Sequence, residues 1–179
     1  MTSLILAIKS KLLMAALSLP APWYADGPPE SRQQYEARVE TIAEAIAVET
    51  ARTPVWTQKR MAATVFFVFY LESRFAYEVH AGTKHPVWTQ DDGQARCMGQ
   101  LHISGIVPSH EWERLAGTDL DATRRCVAAT MHVLAAQARR CAGAPLAGVL
   151  GAYGRGSGCH ATESSVDRAR RVESLLARL

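Results

Sequence analysis

The sequence predicts a mainly helical domain carrying one irregular lobe. Apolar residues recur every three or four positions in several segments, the mark of helices with one buried face. One segment, residues 61 to 75, is apolar nearly all round and belongs in an interior. Residues 76 to 104 break the pattern with three glycines, one proline and short extended pieces, which suits a loop or a small β-hairpin. A chain of 179 residues with 48% apolar content is long enough for one well-filled core, and no low-complexity tract or internal repeat is present.

The first helix is expected over residues 3 to 18, ended by Pro20 and Pro22. Residues 12 to 25 also have some features of a signal peptide, with Lys9 and Lys11 ahead of an apolar run and Ala21 or Ala25 near a cut. Leu4 to Ile8 precede the lysines, however, so a first helix of the mature domain is the preferred reading. Neither apolar run is long enough to span a bilayer. A turn-rich segment leads to a second helix from about Ser31 to Ala51, whose stripe is Tyr35, Val39, Ile42 and Ile46. Arg32, Glu36, Glu40 and Glu44 lie mostly off that stripe, as a solvated face requires. Thr53 and Pro54 mark the break before the central helix.

In that helix nine of the ten residues from Met61 to Tyr70 are apolar or aromatic, and the run ends in Leu71-Glu72-Ser73. Burying a carboxylate is costly, so a glutamate closing a core helix is a candidate general acid. The alternative is that Glu72 lies past the buried turns and faces water. Further on, a short helix is expected within residues 107 to 118, and Asp121 is a candidate cap for the next one. Val127, Met131, Leu134 and Ala138 form its stripe. Thr162 caps a last helix with Val166, Ala169, Val172 and Leu176 on one face.

Twenty basic and 17 acidic residues give a net charge of +3, compatible with an anionic polymer but too small to indicate nucleic acid. The four cysteines are Cys97, Cys126, Cys141 and Cys159. Cys126 and Cys141 fall in one predicted helix, about 22 Å apart along its axis, and cannot bridge. Two pairings remain: Cys97–Cys126 with Cys141–Cys159, or Cys97–Cys141 with Cys126–Cys159. The first closes loops of modest size and is preferred; reduced, buried cysteines are the alternative. The spacing does not fit a zinc site.

In the lobe, Asp91 and Asp92 are candidates for a second carboxylate facing Glu72, the pairing that glycosidic cleavage uses, although Asp-Gly at 92 and 93 is also a turn signal. His80 and His85 do not match a metal motif and are expected at the surface or lining a groove. The glycines at 151, 154, 156 and 158 lack the strand that a dinucleotide fingerprint needs. They suit either a tight groove wall presenting Tyr153 or a purely structural hairpin or helix end. Trp88 is the best candidate for stacking on a sugar, whereas Trp56 and Trp112 are expected to pack against helices.

Three pieces occur in one order: Glu72-Ser73-Arg74-Phe75, then Cys97-Met98-Gly99-Gln100-Leu101, then Ala152-Tyr153-Gly154-Arg155-Gly156. Together they resemble the lytic transglycosylase family with a lysozyme-like fold, relatives of the soluble lytic transglycosylases and goose-type lysozymes. The resemblance covers about residues 60 to 160. It implies an α+β lysozyme-like domain over 56–179, with residues 1–55 as a helical extension packed on it and the lobe lining a glycan groove.

The resemblance also implies cleavage of the β-1,4 bond between N-acetylmuramic acid and N-acetylglucosamine in peptidoglycan. Glu72 would protonate the glycosidic oxygen and then act as base toward the muramyl 6-hydroxyl. Ser73 would support the glutamate or the substrate, and Gln100 and Tyr153 would line the groove. The middle motif departs from the pattern, with Gly99 directly before the glutamine. Gly154 stands where the family has asparagine, a residue this chain lacks altogether. A goose-type hydrolytic outcome, with Asp91 or Asp92 positioning water, is one alternative; a non-catalytic peptidoglycan-binding protein is another. No cofactor and no nucleic-acid partner are expected. The expected form is a monomer outside the cytoplasm, in a cell envelope or a phage lysis system.

Overall fold

The computed structural model describes residues 2–24, 27–53, 55–83, 94–104, 106–155 and 158–179. Among them run eight α-helices: α1 Ser3–Ser18, α2 Arg32–Glu49, α3 Gln58–Ser73, α4 Tyr77–Ala81, α5 Ser109–Trp112, α6 Leu120–Arg140, α7 Leu146–Arg155 and α8 Glu163–Leu176. A two-stranded antiparallel sheet, β1 Ala95–Arg96 and β2 Leu101–His102, supplies the small β lobe of a mainly helical fold. Among the described residues no helix is long and apolar enough to cross a membrane.

Helices α1, α2, α3, α6 and α8 begin where side chains satisfy their free N–H groups. Ser31 and Gln34 form a reciprocal capping box at α2, and Thr57 accepts from Arg60 N at α3. Thr162 caps α8 as the sequence predicts. At α6 the cap is Asp119, whose Oδ1 accepts from Ala122 N at 2.8 Å, and not Asp121. Asp121 lies inside the first turn, where a negative charge still suits the helix dipole.

Every residue of α3 from Met61 to Tyr70 is buried. Around it pack Ile8 and Leu12 of α1, Val39, Ile42 and Ile46 of α2, Val127 and Leu134 of α6, and Val172 and Leu175 of α8. Burying one such side chain contributes roughly 1.5–3 kcal/mol, so α3 holds the fold as well as its own shape. On α8 the buried stripe includes Val172 and Leu175, and Val166, expected on that face, is exposed. Trp56 and Trp112 pack against the core as expected, and the Trp112 indole donates to Leu101 O at 2.7 Å.

Two disulfides form, Cys97–Cys126 and Cys141–Cys159, with Cα separations of 6.1 and 5.4 Å. The first pins the hairpin turn to α6; the second ties the end of α6 to the segment before α8. The glycine-rich stretch is helical as far as Arg155. A side chain at Gly148 or Gly151 would press on the carbonyls of Cys159 and His160, so these glycines let the returning chain lie against α7.

Candidate active site

Glu72 sits in the last turn of α3. The chain leaves that helix through two non-glycine residues in the left-handed region, Arg74 at φ 54° and Phe75 at φ 55°. The other two such residues, Cys97 at φ 52° and Gln100 at φ 50°, both lie in the hairpin turn. All four among the described residues thus fall in the first two of the three motif pieces. Left-handed backbone is costly for side chains of this kind and persists where the surroundings over-determine it, as they do at functional sites.

At the end of α3 those surroundings are visible. Ser73 is buried; its hydroxyl donates to Phe69 O at 2.7 Å and accepts from Phe75 N at 3.2 Å. The Phe75 ring is fully buried against Phe66 and Tyr70, with ring centroids 5.4 and 5.6 Å apart. Phe75 O accepts from Arg38 Nη2 at 2.9 Å. Arg38 reaches this point from α2 because its charge is met by Glu30 along one guanidinium edge, through Nε and Nη2, Nε to Oε2 being 2.9 Å. The two side chains are only 5% and 6% exposed.

His80 completes this clamp, and its position corrects the sequence expectation of a surface or groove histidine. It is fully buried, with Nε2 2.8 Å from Thr123 Oγ1 and Nδ1 3.4 Å from Arg38 Nη1. Thr123 already donates its hydroxyl proton to Asp119 O, so its oxygen accepts from His80 Nε2–H. The imidazole is therefore the neutral Nε2–H tautomer, accepting from Arg38 at Nδ1. Burial, aided by the Arg38 charge, pushes its pKa down to about 3. Arg38, Glu30 and Thr123 were not singled out from sequence, although Arg38 falls on the apolar stripe of α2, between Tyr35 and Ile42.

The second and third motif pieces meet directly. Tyr153, on α7, donates its hydroxyl to Gly99 O at 2.6 Å. A side chain at Gly99 would overlap Thr130 Oγ1 and crowd the Tyr153 hydroxyl, so the glycine before the glutamine is a steric requirement of this junction. Burial raises the Tyr153 pKa well above the usual phenol range, and the negative charge of Glu72 adds to the rise; Thr130 and Arg168 oppose it. Tyr153 is thus a proton-bearing hydrogen-bond donor at working pH and not a base. Gln100 folds its amide back on its own turn, donating to Cys97 O at 3.0 Å.

Glu72 is joined by a residue that sequence reasoning passed over. Arg168, from α8, makes an ion pair with Glu72 Oε1 through Nη1. The side chains are 22% and 21% exposed, so water reaches this pair. Arg168 Nη1 also lies 4.0 Å from where a Cβ on Gly154 would stand. The signal in sequence was again an arginine on a buried stripe: Arg168, Val172 and Leu175 are spaced four and three apart on α8.

Glu72, Arg168 and Tyr153 are brought together from α3, α8 and α7, with Gly99 beside the tyrosine. Trp88, Asp91, Asp92 and His85 lie outside the described residues. Among the described residues, no group of three or more His, Cys, Asp or Glu side chains is arranged to hold a metal. Cavities of about 300 and 320 Å³ flank α6 and share Ala128 and His132; neither is lined by a motif residue. Comparison of the chain with protein-family models, with curated proteins and with solved structures finds no match.

Proposed function

We propose that the protein cleaves the β-1,4 glycosidic bond of peptidoglycan with Glu72 as the proton donor. The observation that carries this reading is the convergence of three separated motif pieces. Glu72 stands at the solvent-reached end of a buried helix, its charge acts on Tyr153, and Tyr153 is bonded to the loop that carries Gln100. A carboxyl group so placed can protonate the glycosidic oxygen as the bond to the sugar breaks. The same carboxylate then accepts the proton of the muramyl 6-hydroxyl as it closes on the anomeric carbon, giving a 1,6-anhydro end without water. Tyr153, held protonated, serves as a donor at the groove wall. This proposal follows the three-motif resemblance to the lytic transglycosylases and has the protein act as a monomer on glycan strands. The two disulfides support action in an oxidising compartment such as a cell envelope.

Glu72→Gln keeps the shape and removes the acid. Release of new saccharide ends from purified peptidoglycan by this variant is expected to fall at least about a thousandfold, the scale of a lost general acid together with its later role as base. Undiminished release would sink the proposal. Mass spectrometry of the products separates anhydro ends from the reducing ends that a hydrolase using Asp91 or Asp92 would leave. One observation favours a second reading. Arg168 occupies Glu72, as in a groove that binds glycan without turning it over; binding without new ends would establish that reading.

A further inference from the structure

Arg168 Nη1 holds Glu72 Oε1, whereas glycosidic cleavage needs that carboxyl group free to meet the leaving oxygen. Arg168 therefore has to leave Glu72 before the proposed chemistry starts. A bare displacement would strand a cation that is only about one-fifth exposed, which is unfavourable unless another anion takes it. Among the described residues, and apart from the neighbouring chain, a Cβ on Gly154 would approach Arg168 Nη1, at 4.0 Å.

We infer that Arg168 is a specificity-determining residue. It binds a carboxylate-bearing substituent of the sugar next to the scissile bond, and this exchange releases Glu72 to take up the proton it delivers. The inference rests on the reading of Glu72 as proton donor to a glycan. The geometry suits it: a planar guanidinium accepts a second carboxylate along the edge that now meets Glu72. The glycine at 154 projects no side chain toward Arg168 Nη1. A glycan without the anion meets the site with Glu72 still paired, so the enzyme selects for charge beside the bond and not only for the sugar backbone. No covalent step is added; one carboxylate replaces another on Arg168, a proton from water goes through Glu72 to the leaving oxygen, and the proton Glu72 then takes from the 6-hydroxyl returns to water when Arg168 pairs with it again.

The test compares two oligosaccharides of alternating N-acetylglucosamine and N-acetylmuramic acid, one with free carboxylates and one with those groups converted to primary amides. Wild-type protein is expected to cleave the acid form at least about tenfold faster in kcat, a difference of ~1.4 kcal/mol in barrier. Arg168→Gln is expected to lose that preference and to cleave the amide form faster than wild type does. A preference that survives in Arg168→Gln, or wild-type rates equal for both forms, overturns the inference. Glu72→Gln separates the two levels. If it remains active, the reading of Glu72 falls; if it is inactive while Arg168→Gln still discriminates, only the role of Arg168 falls.

Binding decides independently of turnover. In Glu72→Gln the guanidinium has lost its internal partner, so calorimetry is expected to show the acid form bound about tenfold more tightly than by wild type, with the amide form unchanged. Equal binding of the acid form to both proteins also overturns the inference. Arg168→Lys serves as the second variant should Arg168→Gln fold poorly, and it is expected to keep part of the preference for charge.

Discussion

Two arginine–glutamate pairs bear on the same short stretch, Glu72 to Phe75, and they are opposites in setting. Arg38 and Glu30 are 5% and 6% exposed, share two contacts, and the arginine also holds Phe75 O and faces His80. Arg168 and Glu72 are 22% and 21% exposed. The same chemistry therefore does different things. In the first pair neither ion can leave without stranding its partner in an apolar interior, so the pair fixes backbone. In the second, a ligand anion that reaches the partly exposed guanidinium can take the place of Glu72, so the pair is exchangeable.

The largest effect that tests this contrast is on stability. Glu30→Gln leaves Arg38 buried without its counter-charge and is expected to cost about 3–5 kcal/mol, read as a lowered urea midpoint. A loss below about 1 kcal/mol would erase the distinction between the pairs.

A second effect comes from His80 within the same clamp. Its pKa is about 3 in the folded protein against an ordinary 6.5, so below pH 6.5 the unfolded chain takes up a proton that the folded chain does not. The stability contribution is complete above about pH 6.5 and is lost progressively as pH falls toward 3. Urea midpoints at pH 7.5 and 4.5 should therefore drop more steeply in wild type than in His80→Gln. Equal slopes would show that the buried imidazole is not the group responsible.

The smallest effect is expected at the exchangeable pair. Arg168→Gln should change stability by less than about 1 kcal/mol, as for pairs open to solvent. A loss as large as that in Glu30→Gln would mean that Arg168 is a structural clamp too.

Much of the fold was legible because short-range physics decides it. The apolar run from Met61 to Tyr70, the stripe of α2 and the cap at Thr162 each express a local rule, and each stands where the sequence puts it. A continuous α6 excluded only Cys126–Cys141; of the two pairings left, the preferred one, which closes loops of modest size, is the one that forms. The site was legible only in its motif residues. Arg38 finds Glu30 eight residues away but His80 only through the tertiary fold, and Arg168 meets Glu72 across 96 positions of chain. No periodicity reveals such partners. What the sequence does contain is a charged residue inside an apolar stripe, at Arg38 on α2 and at Arg168 on α8. In both helices that misfit marks an arginine reaching toward the stretch after Tyr70. The exposed Val166 shows the converse: on α8 the buried face includes Arg168 at the expense of a valine.

Both disulfides have one end at α6, one within its first half and one at its C-terminal cap. They close loops spanning 29 and 18 residues, each contributing about 3–4 kcal/mol by restricting the unfolded chain. That is a large share of the stability of an ordinary domain. The chain made under reducing conditions is accordingly a looser molecule than the same chain after oxidation, with the hairpin turn and the start of α8 untethered from α6. A cell that makes this protein in a reducing cytoplasm holds it in that weakened form, and the hairpin turn that carries Gln100 acquires its splint only where thiols are oxidised.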